Sequence, residues 1–422
     1  GKGIGGKIFC ILICIILGVG SFYIGKVNNA FQKITGSNKK TSSMVVAVKA
    51  DDNADTLSAA AGYTFGVQYA TGGDQTKSAV KQIEKELGQN ITLQEYSNLG
   101  EEAQALYDGE VDAIIYNSAY SNIIKEQYST FTKDTKVIYK HNIVVEIESD
   151  TSDESVTKPF AVYLSGIDTN GDITEQGRSD VNIVAVVNPT SHQVLLITTP
   201  RDYYVPIPGV SGGQDDKLTH AGIYGVDVSM QTLEELYDTD IEFFGRVNFT
   251  SMTSVVDALG GLDVESDLEF DTGWESGAEI HVNEGMNHFD GISALAFCRE
   301  RQALPDGDNG RGVHQQAVIT AIIKKMMSPA MLRGASDIIE SVSDGVDTNF
   351  TSSQIQTQLR TNAKWNIYSV AADGTGGTDI CYSSGDEELY VTYPDENSVA
   401  EIIGLIKKVK DGEIIEGSVS TE

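Results

Sequence analysis

Residues 160–202 read FAVYLSGIDTNGDITEQGRSDVNIVAVVNPTSHQVLLITTPRD, and three apolar, β-branched runs stand out within them, at 160–167, 181–187 and 194–199. Turn residues separate the runs, with NPTSHQ closing the second connection. This spacing predicts an antiparallel meander. The first connection then lies at one end of the sheet and the second at the other, so the third strand returns to the first end. Asp168 leaves the first strand, Asp180 enters the second, and Arg201 and Asp202 leave the third. Two carboxylates and a guanidinium are therefore expected on one edge. Paired carboxylates on adjacent strand ends suit Mg²⁺, with Mn²⁺ as an alternative, because such an ion takes one or two side chains and fills its shell with water and phosphate oxygens. The competing reading makes Asp168 and Asp180 ordinary turn residues beside Gly166, Asn170 and Gly171.

Residues 294–319 read ALAFCRERQALPDGDNGRGVHQQAVI. Alternation in the first part predicts a strand that puts Leu295, Phe297, Arg299 and Arg301 on one face, with both arginines at its exit. After the Gly-rich turn, Arg311 opens a helical pattern in which Arg311, Gln315, Val318 and Ile322 share a face, continued by Met326. Guanidiniums beside a helix start suit phosphate, and the apolar continuation suits a tail, so the pattern fits an amphiphile with a phosphate head. Two plainer readings compete: an ion-pair network with Glu300, Asp306 and Asp308, and a core role for Val318, Ile322 and Met326.

The chain has 422 residues, with 30 Lys plus Arg against 61 Asp plus Glu, a formal charge of −31. Such a charge excludes sequence-independent binding to nucleic acid and makes any local basic cluster informative. The length suggests two or three domains. Of four cysteines, Cys10 and Cys14 sit in an apolar stretch, while Cys298 and Cys381 could be bridged or free; no zinc-type spacing occurs. Residues 8–24 (IFCILICIILGVGSFYI), extended back to Ile4, reach roughly the 20 residues that span a bilayer. No small-residue cleavage pattern follows, so 4–25 is expected as an uncleaved transmembrane helix. The flanking lysines, Lys2 and Lys7 before it and Lys26, Lys33, Lys39 and Lys40 after it, do not support a cytoplasmic amino terminus. Residues 26–43, ending in KKTSS, read as a linker. An α/β accessory module is expected over 44–150, from the runs MVVAV, YTFGVQY, DAIIYN, TKVIYK and NIVVEIE and helical patterns at 77–87 and 100–106. Its order of elements resembles one lobe of a bacterial solute-binding protein, beside the plainer reading of a spacer. The acidic stretch 148–158 marks a boundary. A second α/β domain is expected over 159–410, ending in a helix at 397–410 with apolar Val399, Ile402, Ile403 and Ile406, and residues 411–422 read as a flexible tail.

Read together, these segments resemble the LytR-CpsA-Psr family of bacterial envelope proteins. The matching pieces are GIDT at Asp168, GRSDVNIV at Asp180, TTPRD at Arg201, KLTHA from Lys217, VNFTSMTSVVDALGGLDV around Asp257, GMNHFDGISALAFCRER, and DNGRGVHQQ, in that order between about Ala161 and Met327. The anchor and the additional α/β module look like the capsule-associated branch. The resemblance implies an α/β/α domain with a central mixed sheet. It also implies a cell-membrane protein, single-pass, with a cytoplasmic amino terminus and extracellular domains. The implied activity is transfer of a glycopolymer, capsular polysaccharide or teichoic acid, from a polyprenyl-pyrophosphate carrier to peptidoglycan. Asp168 and Asp180 match the family's magnesium ligands, and Arg178, Arg201, Arg299, Arg301, Arg311 and Gln315 match positions that contact the pyrophosphate. Lys217 and Asp202 match family motifs, with Asp202 the candidate base. His314 departs from the pattern, since many members carry Arg directly before the Gln, so one positive charge is absent or pH-dependent here. A polyprenyl-pyrophosphate phosphatase and a non-enzymatic sensor of lipid-linked precursors remain as alternatives, and other envelope-assembly proteins as candidate partners.

Overall fold

The computed structural model describes residues 39–146, 152–167, 176–305, 313–314, 317–318, 321–322, 325, 346–351, 353–354, 357, 365–385, 387–415 and 419–420. The apolar span 4–25, residues 26–38 of the linker, Asp168, Arg311, Gln315, Met326 and part of the tail lie outside the described residues. Among those described, no helix is long and apolar enough to cross a membrane.

The first module is a sheet of β1 (Lys39–Lys49), β2 (Thr64–Gln68), β3 (Thr92–Tyr96), β4 (Ala113–Asn117) and β5 (Thr135–Glu146), in the order β3-β2-β4-β1-β5. β2 runs parallel to β3 and β4, and the connections carry α1 (Gly73–Leu87) and α2 (Leu99–Asp108). α1 buries Thr76, Ala79, Val80 and Ile83, one face at helical spacing. α2 is capped by Asn98, whose side chain accepts from the Glu101 amide at 2.8 Å, and stops at Gly109 in the left-handed region (φ 75°).

KKTSS, expected as linker, is instead the first half of β1, paired in register with β5 from Lys39↔Glu146 to Ser43↔Asn142. Thr41, Ser42 and Ser43 are buried. Their polarity is met by partners far along the chain. Ser42 Oγ donates to Gln176 Oε1 at 2.7 Å, Ser43 Oγ donates to Asn142 Oδ1 at 2.8 Å, and Lys40 Nζ lies 2.8 Å from Asp227. Composition cannot distinguish a solvated polar run from one whose hydrogen bonds are made elsewhere in the fold.

The second module contains the expected meander. β6 (Phe160–Ile167) pairs antiparallel with β7 (Ser179–Asn188), and β7 with β8 (Gln193–Thr198). After β8 come the short ribbon of β9 (Tyr204–Pro206) and β10 (Asp215–Lys217), helices α3 (Leu218–Tyr224) and α4 (Val226–Tyr237), and β11 (Phe243–Asn248), parallel to β6. Helix α5 (Phe249–Ala258) leads to two ribbons, β12 (Leu262–Ser266) with β15 (Gly285–Phe289) and β13 (Phe270–Asp271) with β14 (His281–Val282), and then to α6 (Gly291–Arg299). β16 (Val346–Thr348), β17 (Asn366–Ala371), the hairpin β18 (Gly374–Ile380)–β19 (Glu388–Pro394), α7 (Glu396–Asp411) and β20 (Val419–Ser420) complete it. Among the described residues the central sheet is mixed and seven-stranded, in the order β16-β11-β6-β7-β8-β17-β20.

Both faces of this sheet are covered, which is why its strands read as continuous apolar runs. Tyr163, Val184, Val186, Leu195 and Ile197 face α4 and α7, whose Leu233, Ile402, Ile406 and Val409 fill that core. Val162, Ile183, Ala185, Val194 and Leu196 pack on the other side with Phe243 and Trp365. The modules also share a core: Val45, Leu106, Tyr116 and Tyr120 of the first cluster with Ile207, Ala221, Ile223 and Tyr224 of the second.

Residues 294–301, expected as a strand, form α6 and its exit. Asp290 caps the helix by accepting from the Ser293 amide at 2.8 Å. Ala294, Phe297 and Cys298, at i, i+3, i+4, point into the core with Met252, Val255 and Val256 of α5. Eight residues fit either period, and a helix face was available to bury. Gly291 permits that crossing, because a Cβ there would lie 2.3 Å from the Thr253 carbonyl oxygen. Cys298 and Cys381 are buried and form no disulfide, and burial pushes the Cys298 thiol up to about 12.

Candidate active site

The meander delivers its charged residues to one edge. Ile167 at the end of β6 pairs with Ser179, the residue before Asp180, and Arg201 follows β8 by three residues. Arg201 Nη1 lies 3.0 Å from Asp180 Oδ1, and its Nε lies 3.4 Å from Asp202 Oδ2. Lys217, at the end of β10, reaches Asp202 Oδ1 at 3.5 Å. Thr219, in the first turn of α3, donates to Asp180 Oδ1 at 3.3 Å. Asp180, Asp202 and Lys217 are all buried, and Arg178, just before β7, is half-buried. Each carboxylate thus orients a cation while its own charge is balanced.

Backbone contacts hold the cluster. The Thr219 amide donates to the Arg201 carbonyl at 2.8 Å, and the Leu218 amide to the Tyr203 carbonyl at 2.8 Å. α3 lies hard against the segment carrying Arg178 and Asp180. A Cβ on Gly222 would sit 2.7 Å from the Gly177 carbonyl oxygen and 2.9 Å from the Ser179 nitrogen, so only glycine fits this approach. Beneath, His220 Nδ1 is 2.7 Å from Asp216, and Ser383 donates to the same carboxylate, a buried polar knot that ties α3 to the loop after β18.

Arg299 and Arg301 flank a pocket of about 300 Å³ lined by Trp274, Glu275, Ser276, Glu300 and Gln302. Glu300 is not the counter-ion of an arginine network. Its Oε1 accepts from the amides of Arg301, Gln302 and Ala303 at 2.8 to 3.0 Å, and its Oε2 from the Gly273 amide and Ser276 hydroxyl, both at 2.8 Å. Burial drives this carboxyl up, but those donors outweigh it and hold it below the usual range.

The described residues among 313–325 are helical, as expected. Val318, expected as a wall for a lipid tail, is fully buried among Val256, Leu259, Phe289 and Phe297, and Ile322 packs on the same cluster, so for these two the core role holds. His314 stacks on Phe297 at 3.9 Å and on Phe270 at 5.2 Å, with Nδ1 3.2 Å from the Phe297 carbonyl. Burial lowers its pKa, so it is a neutral aromatic packing group and supplies no charge for a phosphate. Thr219, Gly222, Trp274 and Gln302 were not singled out from the sequence. The Gly of THAG and an isolated Trp in the polar GWESG were the available signals.

Beside the Arg201 guanidinium, the groups here that could ligate a hard divalent cation are oxygens, the Asp180 carboxylate and the Thr219 hydroxyl. Among the described residues there is no cluster of three or more His, Cys, Asp or Glu arranged for a metal. A Mg²⁺ ion that binds with substrate phosphate needs fewer, one or two carboxylates.

The LytR_cpsA_psr family model matches residues 114–397. The polyisoprenyl-teichoic acid–peptidoglycan teichoic acid transferase TagU of Bacillus cereus (strain AH820) is 34% identical over 248 residues, 58% of this chain and 76% of that protein. The protein of the same name from Bacillus mycoides (strain KBAB4) is 36% identical over 249 residues, 58% of this chain and 77% of that one. The crystal structure of B. subtilis TagV superposes with a TM-score of 0.52 at 25% identity, covering 60% of this chain and 98% of that one.

Proposed function

The chain belongs to the LytR_cpsA_psr family, and from that premise we propose that it is a phosphotransferase that moves a glycopolymer, of teichoic-acid or capsular type, from a polyprenyl-pyrophosphate carrier onto peptidoglycan. One observation carries the reading beyond kinship: in a chain of charge −31, Arg201 and Lys217 converge on the sheet edge of Asp180 and Asp202, with Arg178 two residues before Asp180 in the chain. A cluster of cations in so acidic a protein fits a polyanionic substrate.

In the proposed reaction a hydroxyl of a peptidoglycan amino sugar attacks the sugar-proximal phosphorus. The new O–P bond forms as the bridging P–O bond breaks, the hydroxyl proton is lost, and polyprenyl phosphate departs with the charge. Arg201, with Arg178 and Lys217, stabilises charge on the phosphates, and because Asp180 and Asp202 already orient Arg201 and Lys217, little reorganisation is needed at the transition state. Asp202, held between Arg201 and Lys217, positions them in the first instance, with the proton-accepting role as its further assignment. Asp180, together with Asp168, would hold Mg²⁺ or Mn²⁺, which supplies neutralisation of pyrophosphate charge when bound. Arg299 and Arg301, with Arg311 and Gln315, are assigned to the same head group. A carrier embedded in a bilayer requires the site to stand near the membrane, which supports the apolar 4–25 segment as a single-pass anchor with a cytoplasmic amino terminus and extracellular domains. The accessory module favours the capsule-associated branch.

The test is in vitro transfer: full chain in detergent, a polyprenyl-pyrophosphate oligosaccharide, Mg²⁺ and peptidoglycan oligomers, with mass spectrometry of the acceptor. A phosphodiester-linked adduct that disappears in Asp180→Ala and Arg299→Ala is the expected result. Release of phosphate without any acceptor adduct would replace transfer with hydrolysis.

A further inference from the structure

The pocket between Arg299 and Arg301 has a wall of a different chemistry. Trp274 is 75% exposed, the most exposed of the large apolar side chains among the described residues, and it stands on a single helical turn, Trp274–Ser276. A lone exposed indole has no meaning by itself. This one belongs to a built surface. Glu300, 2% exposed, binds the Trp274 turn with one carboxylate oxygen and the Arg301–Ala303 loop with the other, so one buried anion fixes the backbone that carries Trp274 relative to the backbone that carries Arg301 and Gln302. At the rim, Gln302 Nε2 donates to Glu275 Oε2 at 2.7 Å, setting an amide and a carboxylate beside the ring.

A flat aromatic face, an amide–carboxylate pair and a guanidinium are the complement of a pyranose. The sugar's C–H face stacks on the indole, its hydroxyls pair with Gln302 and Glu275, and an anionic substituent meets Arg301. The volume, about 300 Å³, lies at the small end of ligand pockets and suits a sugar ring. We propose that Trp274, Glu275, Gln302 and Arg301 form a saccharide subsite that holds one pyranose ring beside the arginine-bound phosphates. The identity of those phosphates rests on the transfer reading above; the sugar chemistry rests on the pocket. The ring has two sources, the carrier-proximal sugar of the donor and the amino sugar of the acceptor.

Fluorescence separates these. The chain has two tryptophans, and Trp365 is buried beside His192. The full chain in detergent is titrated, up to millimolar concentration, with a peptidoglycan disaccharide in one arm and a sugar 1-phosphate in the other. The expected result is a change in emission with one of them in wild type and in Trp365→Phe, absent in Trp274→Ala. In the transfer assay Trp274→Ala raises the half-saturating concentration of that substrate about tenfold or more, with a smaller rise for Trp274→Phe, which keeps a ring. The responding arm names the source. No change in wild-type emission with either sugar overturns the subsite, as does normal transfer and half-saturation by a folded Trp274→Ala. Sugar binding that depends on Trp274 in a preparation that never transfers leaves the subsite standing and removes the transferase reading instead.

Discussion

Gly222→Ala adds one methyl group in α3, and its effect can be worked from two distances. The new Cβ would stand 2.7 Å from the Gly177 carbonyl oxygen and 2.9 Å from the Ser179 nitrogen, both backbone atoms that cannot rotate away. To restore an ordinary contact of 3.4 Å from 2.7 Å, helix and segment must separate by about 0.7 Å. That segment enters Asp180, whose Oδ1 is held at 3.0 Å by Arg201 and 3.3 Å by Thr219, the latter on α3 itself. Overpacking of this kind costs about 1–3 kcal/mol of stability. A displacement approaching 1 Å at a charge-stabilising site costs about 100-fold in rate, or about 2.7 kcal/mol of transition-state stabilisation. The control is Gly404→Ala, on the exposed face of α7 with nothing within 4 Å of its Cβ; there the better helix former should gain up to about 1 kcal/mol and leave transfer unchanged. Urea unfolding followed by tryptophan emission gives the stabilities, and adduct formation by mass spectrometry gives the rates. A folded Gly222→Ala protein that transfers within about threefold of wild type would refute the claim that this contact positions Asp180.

Three further outcomes follow from other parts of the molecule. Arg246 (2% exposed) pairs with Asp347 (0% exposed) between β11 and β16; Arg246→Met should cost about 3–5 kcal/mol by taking a buried guanidinium away from a buried carboxylate, and Arg246→Met/Asp347→Leu should recover part of it in the same urea assay. His314 has a pKa lowered by burial, so the unfolded chain takes a proton first, near about pH 6.5; stability contributed by the neutral ring is present above that pH and is lost as the pH falls toward the lower folded value. The unfolding midpoint of His314→Phe should therefore fall less than that of wild type between about pH 7.5 and about pH 5, and equal falls would count against a neutral stacked ring. Chelation of divalent ions should stop adduct formation in wild type and re-added Mg²⁺ should restore it, whereas Asp180→Asn should stay inactive at every Mg²⁺ concentration; undiminished transfer in chelator would remove the metal from the reading.

Strand existence, the antiparallel order of β6, β7 and β8, and the arrival of Arg201 beside Asp180 were legible in the sequence, because alternation of turns and apolar runs dictates which strand ends share an edge. The last helix was legible for the same kind of reason, its apolar residues falling on one face at helical spacing. Four features depended on contacts between residues far apart in the chain. KKTSS became a buried strand because Gln176, Asn142 and Asp227 meet its polar groups. Residues 291–299 became a helix because α5 offered an apolar face and Gly291 the room to reach it. Val318 and His314 turned inward, into core and aromatic stack, although the helical spacing of Val318 allowed it to face a ligand and the family resemblance put His314 where many members carry an arginine. Glu300 became the clamp of the Trp274 pocket because donors from two loops converge on it. Local pattern determines the period of a segment and the end at which its charges emerge; which face is buried, and which polar group finds a partner, is decided by the rest of the folded chain.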